Sequence, residues 1–276
     1  MAIEFFRKRS EFKSILKDIK EIKIQGARNI AREALKAYKL IPTKSSKKKL
    51  FSLRPTEPMM QNVLNMAEKG VPYKNIISHF DESQDKINKS VFKLIKNRDV
   101  IFTHCHSTNI VNALIYAKKK GKKFEVYNTE TRPLFQGRKT AKELKKAGIK
   151  ITMFTDSALE DALSGEKSLK IKKPDKIFLG ADALLKKGII NKIGSELIAR
   201  IAKEEKIPVY IIADSWKFTK SKIPIENRSI NEVWDKAPKG IKIKNPAFEF
   251  VDKKYISGII TELGLMKYNS FVRKMN

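Results

Sequence analysis

Val100-Ile101-Phe102-Thr103-His104-Cys105-His106-Ser107-Thr108 is the stretch on which the reading of this chain turns. Three apolar residues make a short strand, a polar loop follows, and residues 107–120 then carry helical character. The unit recurs. Apolar runs lie at Phe124-Glu125-Val126-Tyr127, Ile149-Lys150-Ile151-Thr152-Met153-Phe154, Lys176-Ile177-Phe178-Leu179 and Val209-Tyr210-Ile211-Ile212-Ala213. Helical patterns at 140–147, 157–163 and 193–205 fill most of the gaps. Strands alternating with helices build a parallel sheet covered on both faces. The fold expected is therefore α/β, with a Rossmann-like doubly wound parallel-sheet domain over residues 97–276.

Upstream the texture differs. Phe12, Ile15, Leu16 and Ile19, then Ile30, Ala34, Leu35 and Tyr38, recur at three- and four-residue steps. Residues 42–49 read as a polar loop, 58–67 as a helix stopping at Gly70, and 73–96 as a longer helix. Residues 1–96 are thus expected to form a helical N-terminal domain.

Composition narrows the function classes. The 276 residues include 59 Lys and Arg against 30 Asp and Glu, a net charge of +29. Such a field attracts phosphorylated ligands and polyanions, so contact with RNA through the basic surface is one expectation. No apolar run is long enough to cross a bilayer, and Met1 to Arg9 lacks a signal-peptide core. A single cysteine forms no internal disulfide. A cytoplasmic setting without membrane contact is the expectation.

Ligands of an open parallel sheet bind outside the carboxyl ends of its strands. The residues expected there are Thr103 to Thr108, Asn128 to Pro133 followed by Gly137-Arg138-Lys139, Thr155-Asp156-Ser157, Gly180-Ala181-Asp182, Asn191-Lys192-Ile193-Gly194-Ser195 (read as opening a helix) and Ala213-Asp214-Ser215. Loops that enter helices offer free N–H groups to a phosphate, and Arg132 and Lys192 add charge. Cys105 sits where a helix start favours thiolate. His104 and His106 flank it, but His-x-His with one cysteine lacks a second ligand cluster, so no metal and no cofactor are expected. Asp182, Asp214 and Asp156 also fit ordinary capping, and Gly180 and Gly194 fit tight turns.

Several of these motifs are similar, in order, to the signatures of one family. They are Thr129-Glu130-Thr131-Arg132-Pro133 with Gly137, Gly180-Ala181-Asp182, Asn191-Lys192-Ile193-Gly194, Ala213-Asp214-Ser215-Trp216-Lys217-Phe218, and the tail from Phe250 to Gly264. Phe51-Ser52-Leu53-Arg54-Pro55-Thr56 and Gln25-Gly26-Ala27 match more weakly. The family joins the alpha, beta and delta subunits of initiation factor 2B to isomerases of methylthioribose 1-phosphate and ribose 1,5-bisphosphate.

The resemblance implies a helical domain on a Rossmann-like one and a homodimer or higher homo-oligomer. It implies that Asp182 protonates a sugar ring oxygen and Cys105 takes a proton from C2. It gives phosphate and hydroxyl contacts to Arg54, Arg132, Asn191 and Lys192, and to Gly26, Ala27 and Arg28. Two departures stand out. Gln25 replaces the arginine of an Arg-Gly-Ala motif, and His106 follows the cysteine where the isomerases tend to carry Asn. On this balance the first expectation is a regulatory, initiation factor 2B-like protein that binds a sugar phosphate or nucleotide, with initiation factor 2 as a partner. The alternatives are an aldose–ketose isomerase of a phosphorylated pentose and a basic RNA-binding module.

Overall fold

The computed structural model describes residues 2–24 and 26–276. Five helices come first: α1 (Ala2–Lys20), α2 (Ala27–Leu40), α3 (Lys44–Leu53), α4 (Pro58–Glu68) and α5 (Tyr73–Leu94). Helix α3 replaces the loop expected over 42–49. Its sequence is polar, but Thr43 and Ser46 cap it reciprocally, Ser46 N–H donating to Thr43 Oγ1 at 3.1 Å and Thr43 N–H to Ser46 Oγ at 3.2 Å. Such a box satisfies two of the first-turn donors that otherwise lack partners. Leu50 then anchors the helix in the core.

The strands follow: β1 (Val100–Thr103), β2 (Glu125–Thr129), β3 (Lys150–Phe154), β4 (Lys176–Leu179), β5 (Ala183–Leu185), β6 (Gly188–Lys192), β7 (Val209–Ile212), β8 (Phe248–Asp252), β9 (Gly258–Thr261) and β10 (Gly264–Met266). The helices among them are α6 (Thr108–Lys119), α7 (Gln136–Lys146), α8 (Leu159–Ser164), α9 (Ser195–Glu204) and α10 (Tyr268–Met275).

The main sheet runs β10-β9-β7-β4-β1-β2-β3, parallel throughout except for the antiparallel β9–β10 pair. Alternate residues of β1 show how it is covered. Val100 and Phe102 join a core with α8, α9 and α10, through Leu163, Ile198 and Phe271. Ile101 faces the other way, into a core with α5, α6 and α7, through Val91, Leu114 and Leu144. Helices α1 to α4 and the first part of α5 enclose a third core, against which Trp216 packs.

Two further features position the site. A small antiparallel sheet, β5-β6-β8, was not expected; it makes Asn191 and Lys192 the end of a strand rather than the opening of a helix. The main sheet also has a switch point. From β1 the chain moves outward through β2 and β3, then returns to place β4 on the other flank of β1.

Candidate functional site

A cavity of about 160 Å³ opens at that switch point. The loop after β1 brings Cys105, the loop after β4 brings Asp182, and β6 brings Asn191 and Lys192. The helical region closes the far wall with Gly26, Ala27, Arg28 and Arg54. Eight of the nine residues to which the resemblance gives a catalytic or binding role therefore share one cavity. Arg132 does not line it: its Nη2 donates to the Val233 carbonyl at 2.9 Å, and its guanidinium lies over the Phe135 ring. Gln25 lies outside the described residues.

Cys105 is held by its backbone. Its φ of 64° is in the left-handed region, unusual for a residue other than glycine. Two threonines hold that conformation: Cys105 N–H donates to Thr131 Oγ1 at 3.0 Å, and Thr140 Oγ1 donates to the Cys105 carbonyl at 2.9 Å. Enclosure pushes the thiol up to about 11, while Lys192 and the His106 N–H pull the other way. The resting group is a thiol. Gly180 lies close by, where a Cβ would meet Ser107 at 3.1 Å, so the β1 and β4 loops approach closely only because that side chain is missing.

Asp182 has no side-chain hydrogen bond among the described residues. Burial raises its carboxyl, against the pull of Lys217, Arg54 and Lys192. Lys192 is 4 % exposed, and its ammonium has no ion pair among the described residues; burial lowers it. It is the cavity cation best placed to meet an incoming anion. The others are engaged. Arg54 Nη2 lies 3.5 Å from Glu57 and 3.6 Å from Glu226, Arg28 pairs with Asp81, Arg228 pairs with Glu232 at 2.8 Å, and Lys217 Nζ donates to the Ala181 carbonyl at 2.6 Å.

The two histidines beside Cys105 do different things. His104 is buried and spends both nitrogens, Nδ1 on Thr129 Oγ1 at 2.6 Å and Nε2 on the Ile193 carbonyl at 2.9 Å. A carbonyl only accepts, so Nε2 carries the proton. Burial holds this imidazole below its usual value and neutral. His106 lines the cavity and, among the described residues, spends only Nδ1, on Thr140 Oγ1 at 3.0 Å. Burial, with Lys139 adding to it, brings His106 down to about 4.

Lys139, expected near the strand ends, lines the cavity wall, whereas sequence reasoning gave no site role to Glu57, Lys217 and Arg228, which line it too. Glu57 directly follows Arg54-Pro55-Thr56, and Lys217 lies inside a motif already singled out, so both had a signal. Glu57 is 2 % exposed, and burial with the Asp182 charge raises it to about 8. Among the described residues, the set able to offer three ligand atoms to a metal is His79, Asp214 and Glu262, within 4.8 Å of one another. Their oxygens already accept from Ser83, Ser215 and the Trp216 N–H, which makes the corner a hydrogen-bonded joint as it stands.

A sequence profile described as the Initiation factor 2 subunit family matches residues 2–268. The chain belongs to that family. Within it, the ribose 1,5-bisphosphate isomerase of Methanocaldococcus jannaschii is 37 % identical, with 92 % of this chain and 91 % of that protein covered. The methylthioribose-1-phosphate isomerase of Thermosipho africanus is 31 % identical over 88 % of this chain and 78 % of its own length. Among solved structures, a translation initiation factor eIF-2B from Pyrococcus horikoshii superposes with a TM-score of 0.79 at 24 % identity, covering 93 % of this chain and 96 % of that one. The family's fold thus extends over nearly the whole chain, in agreement with the α/β architecture expected from the repeated strand-loop-helix unit.

Proposed function

We propose that this protein is an aldose–ketose isomerase of a phosphorylated pentose. One observation carries the reading: Cys105 and Asp182, from loops on the two sides of the switch point, line one cavity with the ammonium of Lys192, which has no ion pair among the described residues. Relatives at 32–37 % identity that are named ribose 1,5-bisphosphate isomerase support it. The isomerase, second among the expectations from sequence, thereby moves ahead of the regulatory initiation-factor reading.

The chemistry follows from the groups present. A phosphate on C1 blocks spontaneous ring opening, so an acid must protonate the ring oxygen. Asp182 is suited to this, because burial favours its protonated form. Cys105, as thiolate, takes the proton from C2. Lys192 draws the phosphate in and is the strongest local influence favouring that thiolate. Asn191 is fixed by donating to Ser195 Oγ at 2.8 Å and presents its amide oxygen near the Gly180 turn.

The test is direct. Purified protein incubated with ribose 1,5-bisphosphate should yield ribulose 1,5-bisphosphate, and Cys105→Ser should abolish the conversion. Absence of product from ribose 1,5-bisphosphate and from methylthioribose 1-phosphate, with the protein folded, would overturn the reading.

A further inference from the structure

The isomerisation proposed above leaves the acceptor of one proton unassigned. Ring opening moves a proton from Asp182 to the ring oxygen. Cys105 takes the proton from C2 and returns it to C1. The ketone at C2 forms only when the 2-hydroxyl O–H bond breaks. Its electron pair then becomes the new C=O π bond, and the enol C=C pair takes the proton at C1. Something must accept the hydroxyl proton.

Besides Asp182, a carboxylate once it has protonated the ring oxygen, and Glu57, which burial raises to about 8, the cavity wall offers few acceptors. Its lysines and arginines are donors only. His104 has both ring nitrogens engaged, and Asp214 accepts from His79, Ser83 and the Trp216 N–H. His106 differs. The Thr140 hydroxyl has a single proton and donates it to the Cys105 carbonyl at 2.9 Å. At 3.0 Å from His106 Nδ1 that same oxygen therefore accepts, and Nδ1 carries the imidazole proton. The neutral ring then has its lone pair on Nε2, which has no partner among the described residues, and the ring lines the cavity one residue after Cys105.

We propose that His106 is a further catalytic residue of this site, its Nε2 accepting the proton of the sugar 2-hydroxyl as the ketone forms. The role rests on the isomerase reading. Adjacency explains the placement: a thiolate at C2 and an acceptor at the oxygen on C2 are needed side by side, and residues 105 and 106 share one anchored turn. Enclosure and Lys139 keep the ring unprotonated in the resting protein. The dianionic phosphate of the substrate favours the imidazolium once the proton arrives. After release, His106 returns a proton to water and Asp182 takes one up, so the cycle closes without net proton change.

The chain has three histidines, so their ring nitrogens are resolvable by 15N NMR. His106 should show Nδ1–H with a bare Nε2, and His104 the reverse. A proton on His106 Nε2 in the resting protein would overturn the proposal whatever the activity. In turnover, His106→Gln should lower kcat by about 100-fold with KM changed by less than about threefold, as for loss of an acid–base group. Imidazole added to His106→Ala should restore part of the rate, which a merely structural role would not allow. A His106→Gln enzyme within about threefold of the native rate would overturn the proposal and leave the isomerase intact, Asp182 then being the acceptor. If the native protein converts no phosphorylated pentose, the isomerase and this role fall together.

Discussion

The same dipeptide ends two neighbouring strands of the main sheet, and it meets two different fates. Ala181-Asp182 follows β4 and Ala213-Asp214 follows β7, strands paired in register at Leu179 and Ile211. Asp214 accepts from His79 at 3.1 Å, Ser83 at 2.6 Å and the Trp216 N–H at 2.9 Å. Burial alone would raise its carboxyl, yet His79 and then Ser83 and Trp216 outweigh that and hold it low. Asp182 has no donor among the described residues, and burial prevails. Strand position gives each aspartate its address; the count of donors decides whether it is a fastener or an acid.

The contrast breaks most visibly at Asp182. Asp182→Asn should reduce turnover by about 10³-fold or more while leaving the melting temperature nearly unchanged, since no hydrogen bond is lost. A large loss of stability in that variant would erase the distinction. Asp214→Ala should do the opposite, costing about 3 kcal/mol in denaturant unfolding because His79, Ser83 and the Trp216 N–H lose a buried partner. The sign with pH follows from the lowered value. The Asp214 contribution is present above the unfolded carboxylate range and is lost as pH falls toward the folded value. The acid limb of the stability curve should accordingly flatten in Asp214→Asn.

Glu57 sharpens the comparison on the alkaline side. Raised from 4.5 to about 8, it keeps a proton in the folded state that the unfolded chain gives up, so stability declines between those pH values. Glu57→Gln should remove that decline and gain about 2 kcal/mol at pH 9 relative to the native chain, measured by unfolding at several pH values. The smallest effect tests the donor count itself. Ser83→Ala removes one of three donors from Asp214 and should cost about 1 kcal/mol.

Much of this was legible in the sequence. The strand-loop-helix rhythm located five strands of the main sheet, and the rule for strand ends placed Cys105, Asp182 and Lys192 together. What escaped was set by distance or by small polar details. Strands β5 and β6 are three and five residues long, and their partner β8 begins more than fifty positions later, so periodicity had little to register. Helix α3 rests on a Thr43–Ser46 cap within a lysine-rich run. Arg132 carried the right charge at a strand end, but its side chain turns to Val233. The difference between Asp182 and Asp214 was not visible, because two of the three donors to Asp214, His79 and Ser83, come from α5, more than 130 residues away.

That separation bears on the order of events when the chain folds. Ser83 reaches Asp214 across 131 residues and Glu262 across 179. No nascent or half-folded chain can make this joint until β7, β9 and α5 have all been brought together, because closing so long a loop costs entropy before any contact repays it. The corner is a late latch. Loosening it should leave the rate of refolding almost unchanged and accelerate unfolding, which makes Asp214 a governor of how long the native fold lasts rather than how fast it is found.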